Sequence, residues 1–214
     1  MGSVPSPEVC DILMFDILEE INNRFKFKHK IYYSGRYRDD GFMILHSNEE
    51  ETEQFFNIAN NFHQSIKYTF NISKSHTDFL DIHIFKDNRF AESGKLDMKT
   101  YFKPTNSFVY LQRNSCHNKH VFSGFIKGET IRHIRNTNNG DDLHDIFSNF
   151  RKRLIDRGYR ESEIEKSIAT VLSEDRSNFL QPTTKNKKEM PLIMGSKFNP
   201  RLKRIKKSIL KYWN

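Results

Sequence analysis

The sequence predicts an α+β fold: an antiparallel sheet covered by helices over residues 1–103, an all-helical region over 104–172, and a basic tail over 173–214. Three observations carry this prediction. Apolar residues recur at helical spacing in two stretches before residue 63 and in four after residue 117. Short runs rich in aromatic and β-branched residues, bounded by polar turns, lie between them. These runs end near Phe102, after which the long patterned segments are helical, and strands followed by helices is an α+β order.

The first residues, Met1-Gly2-Ser3-Val4-Pro5-Ser6-Pro7, form a loop by composition. A helix opens at Pro7 or Glu8, with Ser6 as N-cap, and runs to about Asn23 on the stripe Val9, Ile12, Leu13, Ile17, Ile21. Next come Ile31-Tyr32-Tyr33 and Phe42-Met43-Ile44-Leu45, two apolar runs around Tyr37-Arg38-Asp39-Asp40-Gly41. Asp-Gly between apolar runs predicts a hairpin, with its turn at Asp40-Gly41 and both carboxylates at or beside it. Glu49 to Phe62 predicts a second helix, capped by Ser47 or Asn48, with Phe55, Phe56, Ile58, Ala59 and Phe62 inward. Three strands are then expected, at Lys67–Ile72, Phe79–Phe85 and Met98–Phe102.

Lys103-Pro104-Thr105-Asn106 changes the character of the chain. After a short extended piece at Phe108–Leu111, four helices are expected: Asn118–Lys127, Glu129–Asn136, Asp141–Arg157 and Glu161–Leu172, punctuated by Gly128, Gly140 and Gly158. Leu143, Ile146, Phe147, Phe150, Leu154 and Ile155 form the longest stripe. Short helices joined by tight turns suggest a helix-turn-helix arrangement.

The 214 residues carry a net charge of +8, but not evenly. Residues 183–214 hold ten Lys/Arg and one acid, a net of +9, which leaves −1 for the rest. A basic run beside a folded body suggests a polyanionic partner, nucleic acid first and an anionic membrane surface second; a solvated terminus is the competing reading. Two cysteines, Cys10 and Cys116, argue against a disulfide framework and fit a reducing, intracellular compartment, with nucleus and cytoplasm equally open. No run approaches the ~18 apolar residues of a membrane span, so no membrane partner is expected for the body.

Adjacent carboxylates repel unless a cation sits between them, and hard carboxylate oxygens suit Mg²⁺ held jointly by protein and substrate phosphates. Asp39 and Asp40 therefore have the layout of a two-metal phosphoryl-transfer site, although Asp-Asp-Gly is also an ordinary surface turn. Arg132, Arg135, Arg151, Lys152, Arg153, Arg157 and Arg160 stud the helical region. Singly each reads as part of a solvated helix face; as a cluster beside a phosphoryl-transfer hairpin they read as a phosphate-contacting surface, above all Arg132, Arg135, Arg151, Lys152 and Arg153. Cys116-His117 and His120, with His133 distant, have the spacing of zinc ligands, but two cysteines cannot make the common Cys₂ pairs. The competing reading is a helix start capped by Ser115.

Tyr37-Arg38-Asp39-Asp40 resembles the Tyr-X-Asp-Asp box of reverse transcriptases, and Met1–Pro7 followed by a helix resembles the box that precedes it. Phe79–Ile82, Tyr101–Thr105, Tyr110-Leu111, Ser115–His120 and Ile131–Arg135 resemble the Penelope-like retroelement branch. In related animal proteins, the region corresponding to about Lys103–Val171 resembles a helix-turn-helix domain following the palm. This resemblance implies a partial polymerase palm (1–103) and a thumb-like helix-turn-helix region (104–172), a fragment of an RNA-directed DNA polymerase. It implies that Asp39 and Asp40 bind Mg²⁺ (or Mn²⁺), that Tyr37 packs under the primer end, and that Lys67 assists the leaving pyrophosphate. Gly2, Ser3, Pro5 and Arg38 would face the incoming nucleotide. The partners implied are an RNA or DNA template-primer, and deoxynucleotides once a missing N-terminal half is supplied. The family's further aspartate, on a strand before the Gly-Ser-Pro loop, has no counterpart here, so the chain is expected to be a slice of a longer element protein, inactive alone. The alternative is a non-catalytic helix-turn-helix nucleic-acid-binding module that keeps a palm remnant.

Overall fold

The structure, a computed structural model, describes residues 6–181. It is α+β, and the chain divides into two compact units, Met1–Leu80 and Asp81–Asn214.

In the first unit α1 (Ser6–Arg24) and α2 (Glu49–Phe62) flank a hairpin of β1 (Ile31–Tyr37) and β2 (Asp40–Leu45). Register runs from Ile31 opposite Leu45 to Tyr37 opposite Asp40, with a bulge between Ile31 and Tyr33. One face of this hairpin, through Ile31, Met43 and Leu45, joins the core of Ile17, Ile21, Phe25, Phe55 and Ala59. Asn48 caps α2 in a reciprocal capping box with Glu51, and Lys30 clamps Glu51 at 2.7 Å, holding that carboxyl below its usual range. The stripe on α1 is covered only in part: Ile17 and Ile21 are buried, while Val9, Ile12, Leu13 and Phe15 stay exposed.

The second unit pairs β4 (Ile82–Phe85) with β5 (Asp97–Thr100) around α3 (Asn88–Ser93), then packs α4 (Lys119–Asn136), α5 (Gly140–Asp156), α6 (Glu161–Leu172) and α7 (Arg176–Leu180). Its core gathers Phe122, Ile126 and Ile134 from α4, Phe147, Phe150 and Leu154 from α5, Ile164, Ile168 and Val171 from α6, with Tyr159 and Phe179. The α4–α5 link ties β5 to these helices. The Asn138 N–H donates to the Met98 carbonyl, its side-chain Oδ1 accepts from the Met98 N–H and its Nδ2 binds Asp97 at 2.7 Å; Thr100 donates its N–H to the Thr137 hydroxyl, and Lys99 meets Asp142 at 2.9 Å. The β4–β5 pair thus belongs to the same compact unit as the helices, which begins at Asp81.

Several local expectations are corrected. Lys67–Ile72 is not a strand: the Asn60 side chain takes both backbone groups of Tyr68, and Phe70 stacks on Phe56 at 3.8 Å, so α2 occupies what a sheet would have used. Phe79–Phe85 is broken, because Leu80 adopts φ 54° and β3 (His76–Phe79) ends before it. The helices expected on either side of Gly128 are one helix, α4. A mid-helix glycine costs about 1 kcal/mol, far less than the burial gained along Phe122, Ile126, Thr130, His133 and Ile134. Asn118, not Ser115, caps it. Ile155 of the α5 stripe is half exposed. The helices α3 and α7 were not expected; Asp87 and Asp175 are their N-caps.

Candidate nucleic-acid interface

The hairpin of the first unit turns two residues earlier than Asp-Gly predicts. Tyr37 and Asp40 are the last pair, and Arg38-Asp39 form the loop, with φ 55° at Arg38. A two-residue loop that needs positive φ at its first position keeps the twist of the flanking strands. Cross-strand pairing puts Tyr33, Gly35, Tyr37 and Asp40 on one face with Phe42 and Ile44. Tyr33 lies across Gly35, where any Cβ would sit 2.7 Å from its hydroxyl, and its ring meets Phe42 at 5.8 Å. Arg36 points the other way, to Asp11 of α1 at 2.9 Å. Tyr37, Arg38, Asp39 and Asp40 are all exposed, and neither carboxylate has an ion-pair partner among the described residues.

Two carboxylates form a donor pair that fits Mg²⁺ or Mn²⁺ only with phosphate oxygens completing the shell. Among the described residues no group of three His, Cys, Asp or Glu side chains is arranged to hold a metal. Lys67 donates to the Asn60 carbonyl in the last turn of α2, where a cation suits the helix dipole. Gly2, Ser3 and Pro5 lie outside the described residues.

In the second unit α5 and α6 are joined by a tight turn. Asn139 caps α5, which ends at Arg157. Gly158, at φ 81°, makes the left-handed step, and Tyr159 donates its N–H back to Leu154. Tyr159 then anchors the turn in the core, its hydroxyl pKa raised by burial.

The cations expected to meet phosphate are mostly bound within the fold. Arg132 pairs with Asp81 at 3.0 Å and Glu129 at 2.8 Å. Arg135 donates to the Phe179 carbonyl, and Arg151 pairs with Glu165 of α6. Arg153 lies over the Phe108 ring, 3.4 Å from its centre, and 5.5 Å from that of Phe102. It pins Phe108, whose φ is 50°. Of the five, only the Lys152 side chain has no partner, side-chain or backbone, among the described residues. Arg157 and Lys119 share that freedom, while Arg160 adds its charge to that of Arg113 on Glu163; the three sit at the turn and at the start of α4. Their position was the available signal: beside a glycine turn or in a first helical turn, a cation has fewer neighbours at i±4 to pair with.

Residues 109–169 match the family model described as Animal helix-turn-helix domain, a span covering the segment before α4, all of α4 and α5, and most of α6. No curated protein and no solved structure matches the chain. Among the described residues no helix is long and apolar enough to cross a membrane.

Proposed function

We propose that the chain is a nucleic-acid-binding protein that acts through its helix-turn-helix unit, without chemistry of its own. The observation that carries this reading is the match over 109–169, which falls on the α4–α6 core and its α5–α6 turn. The net +9 of residues 183–214 adds a polyanion-seeking segment to the same half. Contacts are to phosphate, so duplex DNA, single strands and RNA bind with little sequence preference. The test is fluorescence anisotropy of the full chain with each of these at rising salt. A log-log slope of roughly −0.9 per phosphate contact on duplex DNA is expected; affinity that does not respond to salt overturns the reading.

A second reading, that this is part of a reverse-transcriptase palm acting on template-primer and deoxynucleotides, has one observation in its favour: the exposed loop carrying Asp39 and Asp40 beside Tyr37. In that reading a bound Mg²⁺ (or Mn²⁺) supplies the clamp on attacking and leaving oxygens. The protein's part is to hold Asp39 and Asp40 at a hairpin tip with Tyr37 and Arg38 alongside for the primer end and nucleotide. Mn²⁺ should then broaden the amide signals of residues 37–41 selectively, and Asp39→Asn should abolish the effect. Broadening spread over all surface carboxylates would remove this reading.

A further inference from the structure

The outer face of α6 is a poor surface for nucleic acid. It exposes Glu161, Ser162, Glu165, Lys166, Ala169 and Thr170, and Arg151 is already spent on Glu165. Helix-turn-helix proteins that read duplex DNA lay the second helix in the major groove, between two phosphate rows. Here that helix would bring carboxylates to the phosphates.

A better surface lies on the other side of the turn. A cleft of about 650 Å³ opens between residues 112–114, the first turn of α4 and the α5–α6 turn. Apart from Gly158, every residue lining it is polar or charged. Its walls are fixed from within. The Arg113 guanidinium binds Glu163 through two hydrogen bonds of 3.0 and 2.7 Å and covers the ring of buried Phe122. The Arg113 N–H also donates to the Arg157 carbonyl at 3.0 Å, which ties the 112–114 segment to the turn. This pair cancels its own charge. What remains is Lys119 and Arg157, without side-chain partners among the described residues, and Arg160, whose charge joins that of Arg113 in acting on Glu163, against the one further carboxylate of Asp156.

A concave, rigid, polar cleft with a surplus of unpaired cations selects an anion. Its size is in the range of small-ligand sites, room enough for a backbone phosphate with its sugar. No aromatic residue lines it, which leaves no platform for base stacking, so bases are not read there. We infer that this cleft, rather than the outer face of α6, is where the unit grips nucleic acid: Lys119, Arg157 and Arg160 hold phosphates of one strand, on a frame set by Arg113 and Glu163. The inference rests on the nucleic-acid reading above and gives it a place.

The experiment uses the full chain and a labelled oligonucleotide over a salt series. Arg157→Ala with Arg160→Ala should make the log-log slope shallower by roughly 1.4 to 1.8, two contacts at about 0.7 to 0.9 each. Arg157→Lys with Arg160→Lys should keep the wild-type slope, and Lys166→Ala, on the outer face of α6, should leave it unchanged. Titrating the oligonucleotide into the wild type should shift the amide signals of Gly158 and Lys119, which tests the cleft even if the double alanine variant folds poorly. If the wild type binds while the alanine variant keeps its affinity and slope, or those amides do not move, the cleft is refuted and the nucleic-acid reading stands. If the wild type binds no nucleic acid, that reading fails and the cleft falls with it. Should inorganic phosphate or a mononucleotide displace the strand as readily as an unlabelled strand does, the site is one for free phosphates, and the assignment to a strand is overturned.

Discussion

In the Asp81–Asn214 unit, the facing sides of α4, α5 and α6 are shut away from water: Ile126, Phe150, Leu154, Ile164 and Ile168 are each no more than 1% exposed. In the Met1–Leu80 unit, α1 also carries apolar residues at helical spacing, yet Val9, Ile12 and Leu13, with Phe15 beside them, are 56–65% exposed. Both stripes can be read in the sequence, and they end differently. An apolar stripe states which face a helix can bury; whether a cover exists depends on what else folds against it. A run of exposed apolar side chains marks a surface for association.

The sharpest way to break this contrast is to cut into both stripes. Phe150→Ala should cost the helical unit about 3–5 kcal/mol, because a fully buried ring is replaced by a cavity. Leu13→Ala should stay within about 0.5 kcal/mol. Amide hydrogen exchange resolves the two units separately. Unchanged protection of α4–α6 amides in Phe150→Ala would show that this core is not what closes the unit.

The next effect belongs to His133, which sits in the helical core with Nδ1 3.3 Å from the Thr100 hydroxyl and Nε2 unpartnered. Burial, with Arg132 and Arg153 nearby, lowers its pKa from 6.5 to about 4. The unfolded chain therefore takes up the proton first. The stabilisation is complete above about pH 6.5, falls as pH drops, and is exhausted near pH 4, a loss of roughly 3 kcal/mol. Denaturation midpoints of the helical unit across this window should show it, and His133→Gln should flatten the dependence. A wild-type profile as flat as the variant's would mean the imidazole is not held neutral.

A smaller contrast lies inside the Arg151-Lys152-Arg153 run. Arg153→Ala should cost about 1–2 kcal/mol and free the 103–109 segment to exchange, since its guanidinium packs on Phe108. Lys152→Ala should change stability by less than about 0.5 kcal/mol. Equal effects in the two variants would undo the distinction between a structural and a free cation. Smallest of all, Ile12→Gln with Leu13→Gln should leave unfolding unchanged but reduce light scattering by concentrated protein. If scattering were unaltered, the exposed face of α1 would not be an association surface.

Local chemistry carried much of this molecule. The hairpin around Asp39-Asp40 follows from two apolar runs and a turn, and the α5–α6 pair from a stripe interrupted by Gly158. Both depend on interactions only a few residues apart, which is why they were legible. The turn nevertheless moved to Arg38-Asp39, because the Tyr37–Asp40 pairing sets where the strands end. The expected site residues fared unevenly. Asp39, Asp40, Tyr37 and Arg38 are gathered at one exposed tip, whereas Lys67 is engaged at the end of α2.

What the sequence determined by itself was the α+β order, the helix-turn-helix and the stretch bearing two adjacent carboxylates, since periodicity and turn residues act locally. Tertiary structure decided which charges are free. Arg132 meets Asp81 and Arg113 meets Glu163 across about 50 residues of chain, pairings that no local pattern announces. It also decided that Tyr68 gives its backbone bonds to Asn60 instead of to a strand, and that β5 is tied to Thr137 and Asn138. In each case a polar group was satisfied by a partner brought near only by the folding of the rest, and the charges left over, Lys119, Arg157 and Arg160, became visible only once those pairings were known.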